Sequence, residues 1–240
     1  MHIDAICPGR ADRERGLLLL QAWLSPAFPV GGYSYSHGLE YAVEAGTLRS
    51  GADLIGWIEG MLYFGGVRSD AILLREAHRA TVPDDPDRFL EIAEQAAALR
   101  GTAELALESL AQGRAFLKAL RAGWPDLAAA APIQRLTAPG VEPSYCVCFA
   151  AAAALAGIAL RPAMLAYLQA FAANLISAAL RLMPIGQSDG LVCLAALGER
   201  LPVIVDALEM VPFADLGSAA WGVDFCSMRH ETQYTRLFRS

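Results

Sequence analysis

The apolar positions of this chain recur at three- and four-residue intervals, and alternating apolar–polar runs are scarce, which predicts helices throughout. The stretch "ERGLLLLQAWLS" (14–25) reads as a first helix, closed by Pro26 and Pro29. Tyr35, Leu39, Ala42 and Val43 keep i, i+4, i+7, i+8 spacing until Gly46 offers a stop. Leu54, Ile58, Met61 and Leu62 mark a third helix, with Ser50 and Asp53 placed as N-caps. Further helices are expected over about 69–80 and over about 87–121, the latter broken near Gly101 or Gly113.

Four prolines within residues 124–143 make that segment a connection. Beyond it, Met164, Leu168, Phe171, Leu175, Ala179 and Leu182 form an apolar stripe. Pro184 and Gly186 turn the chain, Ser188 or Asp189 caps the next helix, and Gly198 with Pro202 is expected to end it. A last helix near 203–211 precedes the tail. Neither side of the 124–143 connection looks independent, so the expectation is one all-α domain over residues 1–240, a bundle of about 8–10 helices. A mobile N-terminus (about 1–13) and a partner-binding tail (about 224–240) complete the expected organisation.

Hydrophobic residues make up 55% of the chain and charged residues 18%, with a mean hydropathy of +0.36. Such values point to much surface covered by partners or to membrane contact. The run 146–160 has 15 uncharged residues but stops at Arg161–Pro162, short of the roughly 20 that a span needs. Residues 162–180 are longer, yet they carry Gln169, Asn174 and Ser177 beside a one-sided stripe. A core helix fits that pattern better than a span. The first sixteen residues have no apolar stretch before their charges, so no signal peptide is expected and the protein is read as cytoplasmic. A formal net charge of −6 argues against nucleic acid as a partner. The tail differs: Arg229, Arg236 and Arg239 outweigh Asp224 and Glu231, which makes it a basic element on an acidic body.

Candidate chemistry is sparse. His2, His37, His78 and His230 are far apart, with no H-x-x-x-H or H-E-x-x-H among them. Cys146 and Cys148, two apart on an expected helix, point about 200° from one another and read as buried core thiols. Cys7, Cys193 and Cys226 are isolated. "GYSYS" (32–36) lacks the second Gly of a nucleophile elbow, and His37 beside it has no orienting third group in the sequence. No phosphate-binding G-x-x-x-x-G-K-[ST] occurs. Glu40 and Glu44, at i, i+4, read as a solvated helix face. Catalysis is not expected. A serine hydrolase around Ser34 and His37, and a peripheral membrane helical protein, remain as alternatives from other classes.

Three stretches carry a resemblance. "SPAFPVGGYSYSHGLE" (25–40), "LRLMPIGQSDG" (180–190) and "MRHETQYTRLFRS" (228–240) resemble, in order, the signature segments of the urease accessory protein UreF family. The resemblance implies an all-helical, dimeric, non-catalytic chaperone for the nickel centre of urease. Such a chaperone bridges the accessory protein UreD (UreH in some systems) to the GTPase UreG, and the complex delivers nickel to apo-urease in a GTP-dependent way. It implies no tightly bound cofactor and no metal ligands on this chain, the nickel being handled by the complex.

The resemblance also assigns faces. The tail residues Arg229, His230, Glu231, Gln233, Tyr234, Arg236, Leu237, Phe238 and Arg239 would meet the UreD partner. The corner Arg181, Pro184, Gly186, Gln187, Ser188, Asp189 and Gly190 would meet the GTPase, although Arg181 can equally be a helix-end charge on terminal carbonyls. Pro29, Gly31, Gly32, Tyr33, Ser34, Tyr35, Ser36, His37, Gly38 and Glu40 read as a structural turn and packing motif in preference to a direct contact. The tail itself shows no clean helical stripe. It is therefore expected to stay mobile in the free protein and to order only on its partner.

Overall fold

The computed structural model describes residues 9–240. The first part of the expected mobile N-terminus, with His2 and Cys7, lies outside the described residues. Twelve α-helices and two short 3-10 turns make up the described chain, with no strand among its residues. Their ranges are α1 Arg10–Trp23, α2 Leu39–Glu44, α3 Gly51–Phe64, α4 Gly66–Thr81, α5 Pro86–Ala98 and α6 Ala103–Gly123. They continue as α7 Pro125–Ala128, α8 Ala131–Leu136, α9 Tyr145–Leu155, α10 Leu160–Leu182, α11 Gln187–Met210 and α12 Trp221–His230.

The centre of the bundle is α9. Every residue from Cys146 to Ala153 is fully buried, and α9 packs against α4 and α6. Its alanines present a thin surface that lets neighbouring helices approach on all sides, which explains an apolar composition with no polar face. Cys146 and Cys148 are core thiols, each pushed up in pKa by burial. An edge-to-face aromatic cluster of Trp23, Phe116, Trp124, Tyr145 and Phe149 fills one end of the core.

Local caps fix the helix starts. The Ser50 hydroxyl accepts from the Asp53 amide (3.2 Å) and the Asp53 carboxylate accepts from the Ser50 amide (2.9 Å), a reciprocal capping box. Asp85 and Thr102 cap α5 and α6 one way, each side chain accepting from the amide three residues on (Arg88 at 3.1 Å, Leu105 at 3.3 Å). Buried Arg75 on α4 donates to the Leu208 and Glu209 carbonyls (2.7 and 3.1 Å), so it closes the far end of α11.

Several expectations need correction. Helix α1 starts at Arg10, so residues 10–13 are ordered helix. The break in the 87–121 stretch falls at Gly101, while Gly113 sits inside α6. A Cβ there would lie 1.8 Å from the Pro143 carbonyl oxygen, so Gly113 is a crossing point for the chain entering α9. The 124–143 connection contains α7 and α8, each with Pro in its first turn. Helix α11 runs unbroken through Gly198 and Pro202. Pro202 is on the exposed side, and Leu197, Leu201, Ile204, Val205 and Leu208 keep one buried face along the whole helix. That face offsets the roughly 3 kcal/mol that an interior proline costs. Segment 35–43 becomes helical only from Leu39.

Helix α10 is the one helix among the described residues long and apolar enough to cross a membrane, with a mean hydropathy of 1.5. Met164, Leu168, Ala172, Leu175 and Ala179 on it are fully buried within the bundle, the packing of a core helix.

The largest correction concerns the tail. Helix α12 and residues 231–240 fold back onto the body, where α12 packs against α2 and α6. The missing helical stripe was a poor guide because polar groups, more than apolar ones, seat this segment.

Candidate functional site

The three signature stretches, distant in sequence, meet at one place. Gly31 in a left-handed conformation (φ 77°) opens a 3-10 turn over Gly32–Ser34. The Gly32 carbonyl accepts from Asn174 (2.9 Å) and the Tyr33 carbonyl from Arg181 (2.8 Å), so α10 holds the turn. Tyr35 is buried and extended. His37 and Gly38 then both take left-handed φ values, 53° and 76°. A Cβ on Gly38 would stand 2.6 Å from the Ser227 amide nitrogen, so α12 crosses directly over this glycine.

Three carboxylates receive the tail. Glu40 accepts from the amides of Leu237 (2.6 Å) and Phe238 (2.9 Å) and faces His230 Nε2 at 3.1 Å. Glu104 faces His230 Nδ1 at 2.8 Å and accepts from Arg236 at 2.8 Å. Glu108 accepts from the Ser240 hydroxyl (3.0 Å) and Gln112 (2.7 Å) and pairs with His37 Nε2 (3.0 Å). Ser36 grips the Ser240 carbonyl through both its amide (2.6 Å) and its hydroxyl (2.5 Å). The Arg239 amide donates to the Ser34 carbonyl (2.8 Å). The bonds to the three carboxylates are charge-assisted, roughly twice as strong as neutral ones, and offset the entropy of ordering the tail.

Of the two carboxylates read as a solvated helix face, Glu40 is thus buried, while Glu44 is exposed and accepts from Gln233. A buried glutamate is rare unless paired; here the pairing comes from residues about 190 positions away, which local periodicity does not reveal.

Tail residues divide by direction. His230 is fully buried and Phe238 is 4% exposed, with the Arg181 guanidinium 4.3 Å over its ring. Arg236 turns to Glu104 and Arg239 to Tyr35, whose pKa is raised chiefly by burial. Gln233 reaches Glu44, though its side-chain oxygen is buried without a partner. Arg229, Glu231, Tyr234 and Leu237 face outward. Beside them α12 presents Trp221, Phe225 and Met228, all exposed at i, i+4, i+7, a stripe that sequence reasoning missed because α12 was not foreseen.

At the corner, Arg181 does two things at once. Its Nε donates to the Ser177 carbonyl (3.2 Å), the helix-end role, and its outer nitrogen holds Tyr33. Pro184, Gly186, Gln187 and Ser188 are exposed, and Asp189 accepts from the Gly186 amide (2.8 Å) to start α11. Gly190 is buried, where a Cβ would press on Leu180 at 3.2 Å. The next two residues, Leu191 and Val192, are 66% and 65% exposed. Both are apolar and lie off the buried register of α11, a signal the sequence did carry.

Beneath the 32–37 turn lies a cavity of about 570 Å³, lined in part by His37, Asp70, Arg100, Glu108, Tyr167 and Asn174. The Asp70–Arg100 pair (2.8 Å) is mostly buried. Burial lowers the pKa of Arg100, but Asp70 outweighs it and the net direction is up; burial also pushes the Tyr167 hydroxyl up. Among the described residues no group of three or more His, Cys, Asp or Glu stands ready to hold a metal ion. The Ser34 hydroxyl donates to Gly31 (2.7 Å) while His37 turns to Glu108, so those two residues do not form a nucleophile–base pair. What the arrangement holds is the chain's own tail.

Comparison with known proteins gives a consistent result. The UreF family model matches residues 48–198. A protein named urease accessory protein UreF from Magnetococcus marinus is 44% identical over 233 residues, 95% of this chain and 99% of its own. Proteins of the same name from Granulibacter bethesdensis and Xanthobacter autotrophicus are 45% identical over 238 residues and 46% identical over 234. These cover 99% and 96% of this chain, and 100% and 93% of their own lengths.

Proposed function

Because the chain belongs to the UreF family of urease accessory proteins, we propose that it is a non-catalytic bridging factor in assembly of the urease nickel centre. It works in the cytoplasm as a homodimer, joins a UreD (UreH) partner to the GTPase UreG, and supports GTP-dependent delivery of nickel to apo-urease. Nickel is cargo of the assembled complex and no cofactor is held tightly by this chain.

The observation that carries the reading is the convergence of residues 31–40, Arg181 and the tail at one junction with two outward faces. One face presents Trp221, Phe225, Met228, Tyr234 and Leu237 beside Arg229, an exposed cation with no ion-pair partner among the described residues. Aromatic and arginine side chains are those enriched at protein–protein hot spots, and this face is assigned to UreD. The other presents Pro184, Gln187, Ser188, Leu191 and Val192 next to Arg181, and it is assigned to the GTPase. The inward tail residues His230 and Phe238 fix the geometry of the first face and do not themselves meet a partner.

The test is reconstitution. The full chain mixed with UreD and UreG from the same source is expected to give a complex of all three by mass measurement. Failure of either partner to bind under nickel and GTP would remove the reading.

A further inference from the structure

His37 stands at the point where the tail's last residue, the 31–40 turn and the cavity meet. Its left-handed φ of 53°, uncommon for a residue with a Cβ, turns the ring edge-on to Phe171 of α10 (5.0 Å, 75°). From there Nε2 reaches Glu108 of α6 at 3.0 Å. Glu108 is buried, and its other close partners, Gln112 and the Ser240 hydroxyl, are neutral. His37 is therefore the one described side chain in direct contact with Glu108 that can carry a compensating positive charge, and a buried carboxylate without one is costly. Ser36, the neighbour of His37, grips the carbonyl of the same Ser240. Residue 240 is thus held through its hydroxyl by the partner of His37 and through its main-chain oxygen by the neighbour of His37.

We propose that the proton on His37 latches the tail: the imidazolium compensates Glu108 and keeps residues 237–240 seated, and its loss unseats them. The surrounding charges are accounted for. Asp70 on α4 faces His37 but is paired with Arg100. On the tail side Glu40 and Glu104 share His230, Glu104 also takes Arg236, and Tyr35 faces Arg239 and Glu108. None of these other cations touches Glu108.

The sign follows from the geometry. Burial, and to a smaller extent the Arg100 cation, lowers the affinity of His37 for its proton, but Glu108 and Asp70 outweigh both and hold the pKa above the ordinary 6.5. A raised folded pKa gives a contribution that is complete below pH 6.5 and fades as pH rises through the folded value. The latch therefore weakens on the alkaline side, by up to about tenfold in the opening equilibrium per pH unit for one proton.

Hydrogen exchange on the full chain between pH 6 and 9, corrected for intrinsic exchange, tests this. Protection of the Leu237, Phe238 and Arg239 amides is expected to fall as much as tenfold per pH unit while the α9 amides hold steady. His37→Asn removes the charge and suits a left-handed φ; it is expected to show pH-independent protection at the low, alkaline level of the native protein. A flat native profile, or an unchanged slope in His37→Asn, overturns the proposal. Should that variant not fold, the native ring resonances of His37 decide: co-titration with the tail amides supports the latch, and titration without any tail response refutes it.

Discussion

The guanidinium of Arg181 lies 4.3 Å above the ring of Phe238 while donating to the Tyr33 carbonyl at 2.8 Å. One side chain at the end of α10 thereby joins the tail to the 31–40 turn, and both to the corner that begins α11. Arg181→Ala is expected to loosen the Phe238 and Arg239 amides while leaving the helical content intact, consistent with a stacked cation worth about 0.5–2 kcal/mol. Arg181→Lys should not restore them, because a planar fork both stacks and donates. Hydrogen exchange of the tail amides in the three proteins checks this.

Glu40→Gln keeps the shape of the side chain but removes the charge that the Leu237 and Phe238 amides and His230 face. Hydrogen bonds to charged groups contribute about 1.5–3 kcal/mol each, so a loss of at least that size in urea unfolding is expected, with early proteolysis within 229–240. Unchanged stability and proteolysis would mean that the carboxylate does not hold the tail.

Two glycine substitutions should act in opposite directions. Gly113→Ala forces a Cβ into the Pro143 carbonyl and is expected to cost about 3 kcal/mol or more, the upper end of overpacking. At Gly56 on α3 a Cβ meets nothing within 4 Å, so Gly56→Ala should gain up to about 1 kcal/mol of helix propensity. Thermal melts of the two variants read the difference directly.

His78 is expected to contribute to the loss of stability on the acid side. Burial lowers its pKa, with Arg79 adding to the effect, against the hydrogen bond to the Ile158 carbonyl at 2.8 Å. A depressed histidine gives stability that is present above pH 6.5 and lost as pH falls through its folded value. His78→Gln is therefore expected to flatten the decline in melting temperature between pH 6.5 and 5. An unaltered decline would assign it to the carboxylates.

Much of the scaffold was legible because it rests on local rules. The Ser50–Asp53 cap, the stripe of α10 and the turn at Pro184–Gly186 each depend on neighbours within four residues. Pro202 misled because the proline rule is local, while the buried face of α11 that overrides it is set by α3 and α10 packing. Gly113 looked like a breaker, since nothing nearby in sequence shows that Pro143 crosses it. At the site, residue types were found but not their directions. His230 and Phe238 read as partner contacts and turn inward, because Glu40, Glu104 and Arg181 reach them across more than fifty positions of chain. Leu191 and Val192 were passed over although their register on α11 exposes them.

The proposed bridging role is tested most directly by the outward faces, where substitutions leave the fold untouched. Leu191→Asp with Val192→Asp, and separately Tyr234→Ala with Leu237→Asp, alter exposed side chains and should shift stability by no more than about 0.5 kcal/mol per substitution. Mass measurement of the mixture with UreD and UreG is then decisive. The account predicts that the first pair loses UreG and retains UreD, and that the second pair loses UreD. Full three-component complexes with both pairs, at native affinity, would contradict it.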